Sequence, residues 1–139
     1  PIPTQLGLLS NMKNLQLQCN ELSGRIPTEL GALIKVEGLW LQHNKLTGPI
    51  PTELCTLANL RELCLDDNQL SGVIPSEIRQ MTGIATLWLH GNLLSGGIPT
   101  EIAELTKLTW LRTHNNQLTD STDSRRYIKS HLPRCTVDV

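Results

Sequence analysis

One phrase of 24 residues is written about five times along this chain, and no other feature narrows the fold so far. Asn20, Asn44, Asn68, Asn92 and Asn116 hold one phase of the repeat. Leu22, Leu46, Leu70, Leu94 and Leu118 hold the phase two residues later, and the pairs Ile2-Pro3, Ile26-Pro27, Ile50-Pro51, Ile74-Pro75 and Ile98-Pro99 hold a third. A fixed period of this length means stacked units, each burying its apolar face only against its neighbours. The 139 residues therefore read as a quasi-one-dimensional solenoid, not as a globule around one central core.

The unit from Ile26 to Pro49 can be read physically. Leu39 and Leu41 are two apart with Trp40 between them, which predicts a strand with the leucines inward and Trp40 facing the other way. The frame recurs at Leu15/Leu17, Leu63/Leu65 and Leu87/Leu89, then weakens to Leu111/Thr113. Leu30, Leu33 and Val36 are three apart, a spacing that suits a 3₁₀ or short helical return on the opposite side. The recurring Asn lies where the chain leaves the strand. Its amide carries donors and acceptors, so one Asn per coil predicts a buried ladder satisfying backbone groups between coils. Gly24, Gly48, Gly72 and Gly96 mark a turn that a Cβ would resist. With no Phe and a single Tyr, Leu and Ile must build the core, so the three Trp stand out.

These residues resemble the leucine-rich repeat, LxxLxLxxNxL, in its plant-type subclass with LxGxIPxxL. The match runs from Ile2 to Leu118, nearly the whole chain. The resemblance implies an α/β fold: a right-handed solenoid with a parallel β-sheet on the concave face and 3₁₀ or short helical returns on the convex face. It also implies a second set of short strands formed by the LxGxIP segments, and binding of proteins, peptides or sometimes carbohydrates by the concave sheet. Residues 1–121 are assigned to about five repeats and 122–139 to a C-terminal capping helix and tail. In that tail, Asp120 replaces the repeat's Gly and Thr122 its Ile. Asp123 is the expected helix N-cap, Pro133 the stop, and Ile128 and Leu132 the face laid on the last coil.

Outward strand positions form columns whose members are about 4.8 Å apart across a parallel sheet. The central column is Gln16, Trp40, Cys64, Trp88, Arg112. The column before it is Asn14, Gly38, Glu62, Thr86, Trp110, and the column after it Gln18, Gln42, Asp66, His90, His114. Next along the turn come Cys19, His43, Asp67, Gly91 and Asn115. All three Trp fall on this face, where a large aromatic serves either as a binding anchor or as cover for Cys64. The candidate binding face comprises Trp40, Gln42, Glu62, Cys64, Asp66, Trp88, His90, Trp110, Arg112 and His114. His90, His114, Asp66 and Cys64 raise a metal reading, but residues on one flat column point in parallel and carry no short ligand spacing, so no metal and no other cofactor is expected. A Cys-His pair without an oxyanion donor or pocket gives no catalytic residue, and the chain is expected not to be an enzyme.

Net charge is -1 from 12 basic and 13 acidic residues with no run of either sign, which argues against a nucleic-acid partner. No apolar run approaches the ~20 residues that span a bilayer. Pro1-Ile2-Pro3 falls inside the repeat phase, so an upstream segment is expected, and a signal peptide is not recognised. The four Cys do not pair convincingly and no N-x-Ser/Thr sequon occurs. Unpaired thiols point to a reducing compartment and the repeat subtype to the secretory route, so localisation stays open with a lean to extracellular. The expected function is a non-catalytic module recognising a protein or peptide through the concave sheet. The alternatives are carbohydrate stacking on Trp40, Trp88 and Trp110, or an assembly unit that self-associates through an exposed N-terminal strand edge.

Overall fold

The computed structural model of the protein describes residues 1–119 and 122–138. Its strands are β1 (Asn14–Gln16), β2 (Ser23–Arg25), β3 (Gly38–Trp40), β4 (Lys45–Gly48), β5 (Glu62–Cys64), β6 (Gln69–Val73), β7 (Thr86–Trp88), β8 (Leu93–Gly96), β9 (Trp110–Arg112), β10 (Gln117–Leu118) and β11 (Thr136–Asp138), and helix α1 spans Thr122–His131. Each coil contributes one strand to each of two parallel sheets. The concave sheet runs β1-β3-β5-β7-β9-β11, and the second runs β10-β8-β6-β4-β2. The leucine spacing and the LxGxIP segments account for both.

Among the described residues, five 3₁₀ segments close the coils on the convex side: Thr4–Leu8, Thr28–Ala32, Thr52–Thr56, Ser76–Gln80 and Thr100–Glu104. Each begins directly after the proline of an Ile-Pro pair. Pro27 sits at φ -64, ψ 135, extended backbone that its ring pre-sets and from which the return starts. At the other corner Gly48 and Gly72 have φ of 78 and 80, a region L side chains rarely enter.

The core is a file of aliphatic side chains along the solenoid axis. Leu30, Leu33 and Val36 of the return meet Leu39, Leu41 and Leu46 of the strands, all buried. The asparagines stitch successive coils together. Asn44, Asn68, Asn92 and Asn116 each donate from Nδ2 to carbonyls of their own coil and of the coil before, and each accepts on Oδ1 the amide of Leu22, Leu46, Leu70 or Leu94. The expected buried ladder does not extend to Asn20, which is exposed and donates to Leu17 and Gln18 of its own coil.

The C-terminus differs in two respects from the sequence expectation. Helix α1 starts at Thr122, so Asp123 lies in its first turn instead of capping it. The tail also adds a strand that the sequence did not suggest: Thr136, Val137 and Asp138 pair in parallel with Trp110, Leu111 and Arg112, so β11 covers the open edge of β9. Ile128 and Leu132 are buried as the helix packs on the last coil. The expected loss of glycine at Asp120 falls outside the described residues.

Candidate binding face on the concave sheet

Strand register sets the face. Gln16 pairs with Trp40, Trp40 with Cys64, Cys64 with Trp88, and Trp88 with Arg112. The neighbouring column is Asn14, Gly38, Glu62, Thr86, Trp110 by the same pairing. Every residue of the candidate set is thus brought to one surface, but the members are not equally available.

Trp40 is half-buried because its six-membered ring lies over the Cα of Gly38, in space a side chain at that position would fill. Its indole N–H donates to Glu62 Oε2 at 3.1 Å, which fixes the ring along the sheet. Trp88 is held from the other side: the Arg112 guanidinium stands 5.0 Å from its ring centroid, and 5.9 Å from that of Trp110. A cation over an indole face is attracted by the ring quadrupole, so Arg112 ties Trp88 to Trp110. Trp110, at 44% exposure, is the most open of the three.

Cys64 lies on the expected column but is no contact residue: only 2% of its surface is accessible, in keeping with the alternative that the two tryptophans flanking it in register cover it. Burial raises its thiol to about 12, with Asp66 and Glu62 adding to the effect, so it is not a reactive contact group. Asp66 is also buried, at 4%.

The third column forms an electrostatic chain. Asp66 Oδ2 lies 3.7 Å from His90 Nε2, His90 stacks on His114 with centroids 4.6 Å apart, and His114 Nδ1 lies 3.2 Å from Asp138 Oδ2. Asp138 belongs to the tail strand, a partner that repeat phase could not reveal because the tail lies outside the repeat. Burial pushes the Asp66 carboxyl up, and the His90 imidazole pulls it partly back. Burial likewise lowers His90, against the attraction of Asp66 and with the repulsion of His114. Gln42, in the same column, is half-buried.

Several buried polar atoms on this face make no hydrogen bond among the described residues: Gln18 Oε1, Gln42 Oε1 and Asp66 Oδ1 in the first three coils, and Trp88 Nε1, His90 Nδ1, Arg112 Nε and His114 Nδ1 in the last two. The first group consists of acceptors, whereas the second mixes the donors of Trp88 and Arg112 with imidazole nitrogens that donate or accept by tautomer.

The turn column beside it holds a feature the sequence reading did not weigh. Cys19, His43, Asp67 and Asn115 all adopt positive φ, between 51 and 56, and Gly91 has φ 65 at the same phase. That Gly and Asn occur at this phase was the available signal, since both tolerate the left-handed region. His43 Nδ1 lies 3.2 Å from Asp67 Oδ2 across two adjacent coils.

The model of the leucine-rich repeat family matches residues 11–33, 35–57, 59–81 and 84–105. The chain belongs to the leucine-rich repeat family. Its fold is similar to a TDR receptor at TM-score 0.90 and 31% identity, over 98% of this chain and 23% of that one. It is similar to the ectodomain of the Arabidopsis receptor kinase HAESA, solved with an N-terminal extended IDA peptide hormone ligand, at TM-score 0.82 and 38% identity, over 84% and 20% of the two chains. The BIR3–SERK2 complex from Arabidopsis thaliana matches at TM-score 0.75 and 37% identity, over 78% and 58%. This leucine-rich repeat chain spans less than two thirds of each of those chains. No curated protein matches it.

Proposed function

We propose that this leucine-rich repeat chain is a non-catalytic recognition module that binds a protein or peptide through its concave sheet. The observation that carries the reading is the open ring of Trp110 on that sheet with the Arg112 guanidinium beside it, a large aromatic and a cation at the surface. An exposed aromatic ring gains most when a partner desolvates it, and an adjacent guanidinium supplies donors to that partner. Two similar structures support the class of partner: one holds a peptide hormone and another is a complex between two proteins.

A peptide or loop that fits would lay an apolar group on Trp110 and a carbonyl or carboxylate group against Arg112. Carbohydrate stacking has less support, because Gly38 lies beneath Trp40 and Arg112 beside Trp88, leaving Trp110 as the open ring. Among the described residues no helix is long and apolar enough to cross a membrane. Strand β1, hydrogen-bonded on one side only, is the edge through which self-association would run.

The test is capture from source extract by the wild-type chain and by a Trp110→Ala/Arg112→Gln variant matched in melting temperature. Recovery of a protein or peptide by the wild type alone, with affinity reduced at least about 10-fold in the variant, is expected for hot-spot residues. Identical recovery by both chains would move the binding site off this face.

A further inference from the structure

We propose that His43, Asp66 and Asp67 form a binding site for one divalent transition-metal ion of the zinc class. One imidazole nitrogen and one oxygen from each carboxylate lie within 4.8 Å of one another. The group is diagonal: His43 and Asp67 occupy the left-handed turn position of adjacent coils, and Asp66 the neighbouring strand column. The argument that one flat column holds its side chains parallel therefore does not apply to it.

One observation points to a ligand beyond the clustering itself: the Asp66 side chain is 5% exposed, yet its Oδ1 accepts no hydrogen bond among the described residues. A buried carboxylate oxygen left unfilled is costly, and a cation is the strongest partner it could acquire. Within the cluster, His43 Nδ1 and Asp67 Oδ2 stand 3.2 Å apart. That is close to the roughly 3.4 Å edge between two ligands in a tetrahedral zinc shell with metal–ligand bonds near 2.1 Å. That pair already has the spacing of two ligands, and a rotamer adjustment of Asp66 would complete three protein ligands. The ion would take the place of the proton between His43 and Asp67. His90 Nε2, 3.7 Å from Asp66 Oδ2, steadies that carboxylate from the following coil.

The donor set selects the metal class. One imidazole and two carboxylates suit zinc-class ions, whereas calcium asks for six to eight oxygens that this turn does not gather. His43 and Asp67 are about half exposed, so water would fill the remaining positions on the flank of the concave face. The site stands independently of the recognition function proposed above.

The experiment is calorimetric titration of the intact chain with zinc chloride. One ion per chain is expected to bind, with the association constant falling about 10-fold or more in His43→Ala and in Asp66→Asn, at least the loss seen for outer-shell partners of zinc ligands. Asp67→Asn, at an exposed position, gives the same readout should Asp66→Asn fold poorly. Zinc should also raise the melting temperature of the wild type but not of these variants. Cys19→Ser, which removes the exposed thiol one coil away, should bind as the wild type does. Absence of stoichiometric binding, retention of it in His43→Ala, or its loss in Cys19→Ser alone would overturn the assignment.

Discussion

Asn68 accepts the Leu46 amide on Oδ1 at 2.9 Å, and from the same side chain donates to Leu41 O at 3.0 Å. One amide thus satisfies two backbone groups of the preceding coil while also donating to Leu65 and Asp66 of its own. Asn68→Ala should strand buried groups on both coils and destabilise the chain by about 1–3 kcal/mol per group left unpaired. Asn20→Ala, which breaks only exposed contacts within one coil, should cost less than about 1 kcal/mol. Urea denaturation of both variants checks the order; equal losses would show that the ladder does not work between coils.

Two glycines separate crowding from open space. A Cβ built on Gly83 would stand 2.6 Å from Ala58 O and 3.0 Å from Leu60 O, main-chain atoms of the preceding coil that move only with the backbone. Gly83→Ala should therefore cost about 1–3 kcal/mol, the range for overpacking. Gly97 has nothing within 4 Å of its would-be Cβ, and Gly97→Ala should stay within about 0.5 kcal/mol of the wild type. Thermal melts of the pair decide the point.

The thiols should differ sharply in reactivity. Cys19 is exposed, whereas Cys55, Cys64 and Cys135 are buried, with Cys55 and Cys64 pushed up to about 12 chiefly by desolvation. Thiolate is the reactive form, so a maleimide at neutral pH should label one site quickly in the native chain and four after denaturation. Mass spectrometry should place the first label on Cys19. Fast native labelling of Cys64 would mean that the two tryptophans do not cover it.

How far the sequence could be read follows from what periodicity encodes. It specifies which residues share a phase, so the strand columns, the two sheets, the 3₁₀ returns and the position of each asparagine were all legible. It does not specify how a side chain leans once placed. Cys64 sits on the column expected of it, yet neighbours of far larger volume bury it, and Trp40 folds onto Gly38 because glycine leaves room there. Periodicity is also silent where the repeat stops: the tail strand that pairs with β9 and brings Asp138 to His114 has no counterpart phase. The His43–Asp66–Asp67 group was missed because it crosses columns diagonally and depends on a left-handed turn.

The cap supplies the last prediction. Ile128 is fully buried where α1 packs on the final coil, and β11 completes the sheet edge beside it. Ile128→Ala should cost about 2–5 kcal/mol, the range for a buried large-to-small change. In a solenoid each coil touches only its neighbours, so the loss should be spent at one end before it spreads. Hydrogen exchange should therefore show the amides of Trp110–Arg112 and Gln117–Leu118 losing protection first, while those of β3 and β5 keep it. Leu63→Ala in the middle of the stack, at 1% exposure, should instead weaken coils on both sides together. A uniform loss of protection in Ile128→Ala would show that the chain unfolds as a single unit and that the helix stabilises all of it, not the last coil alone.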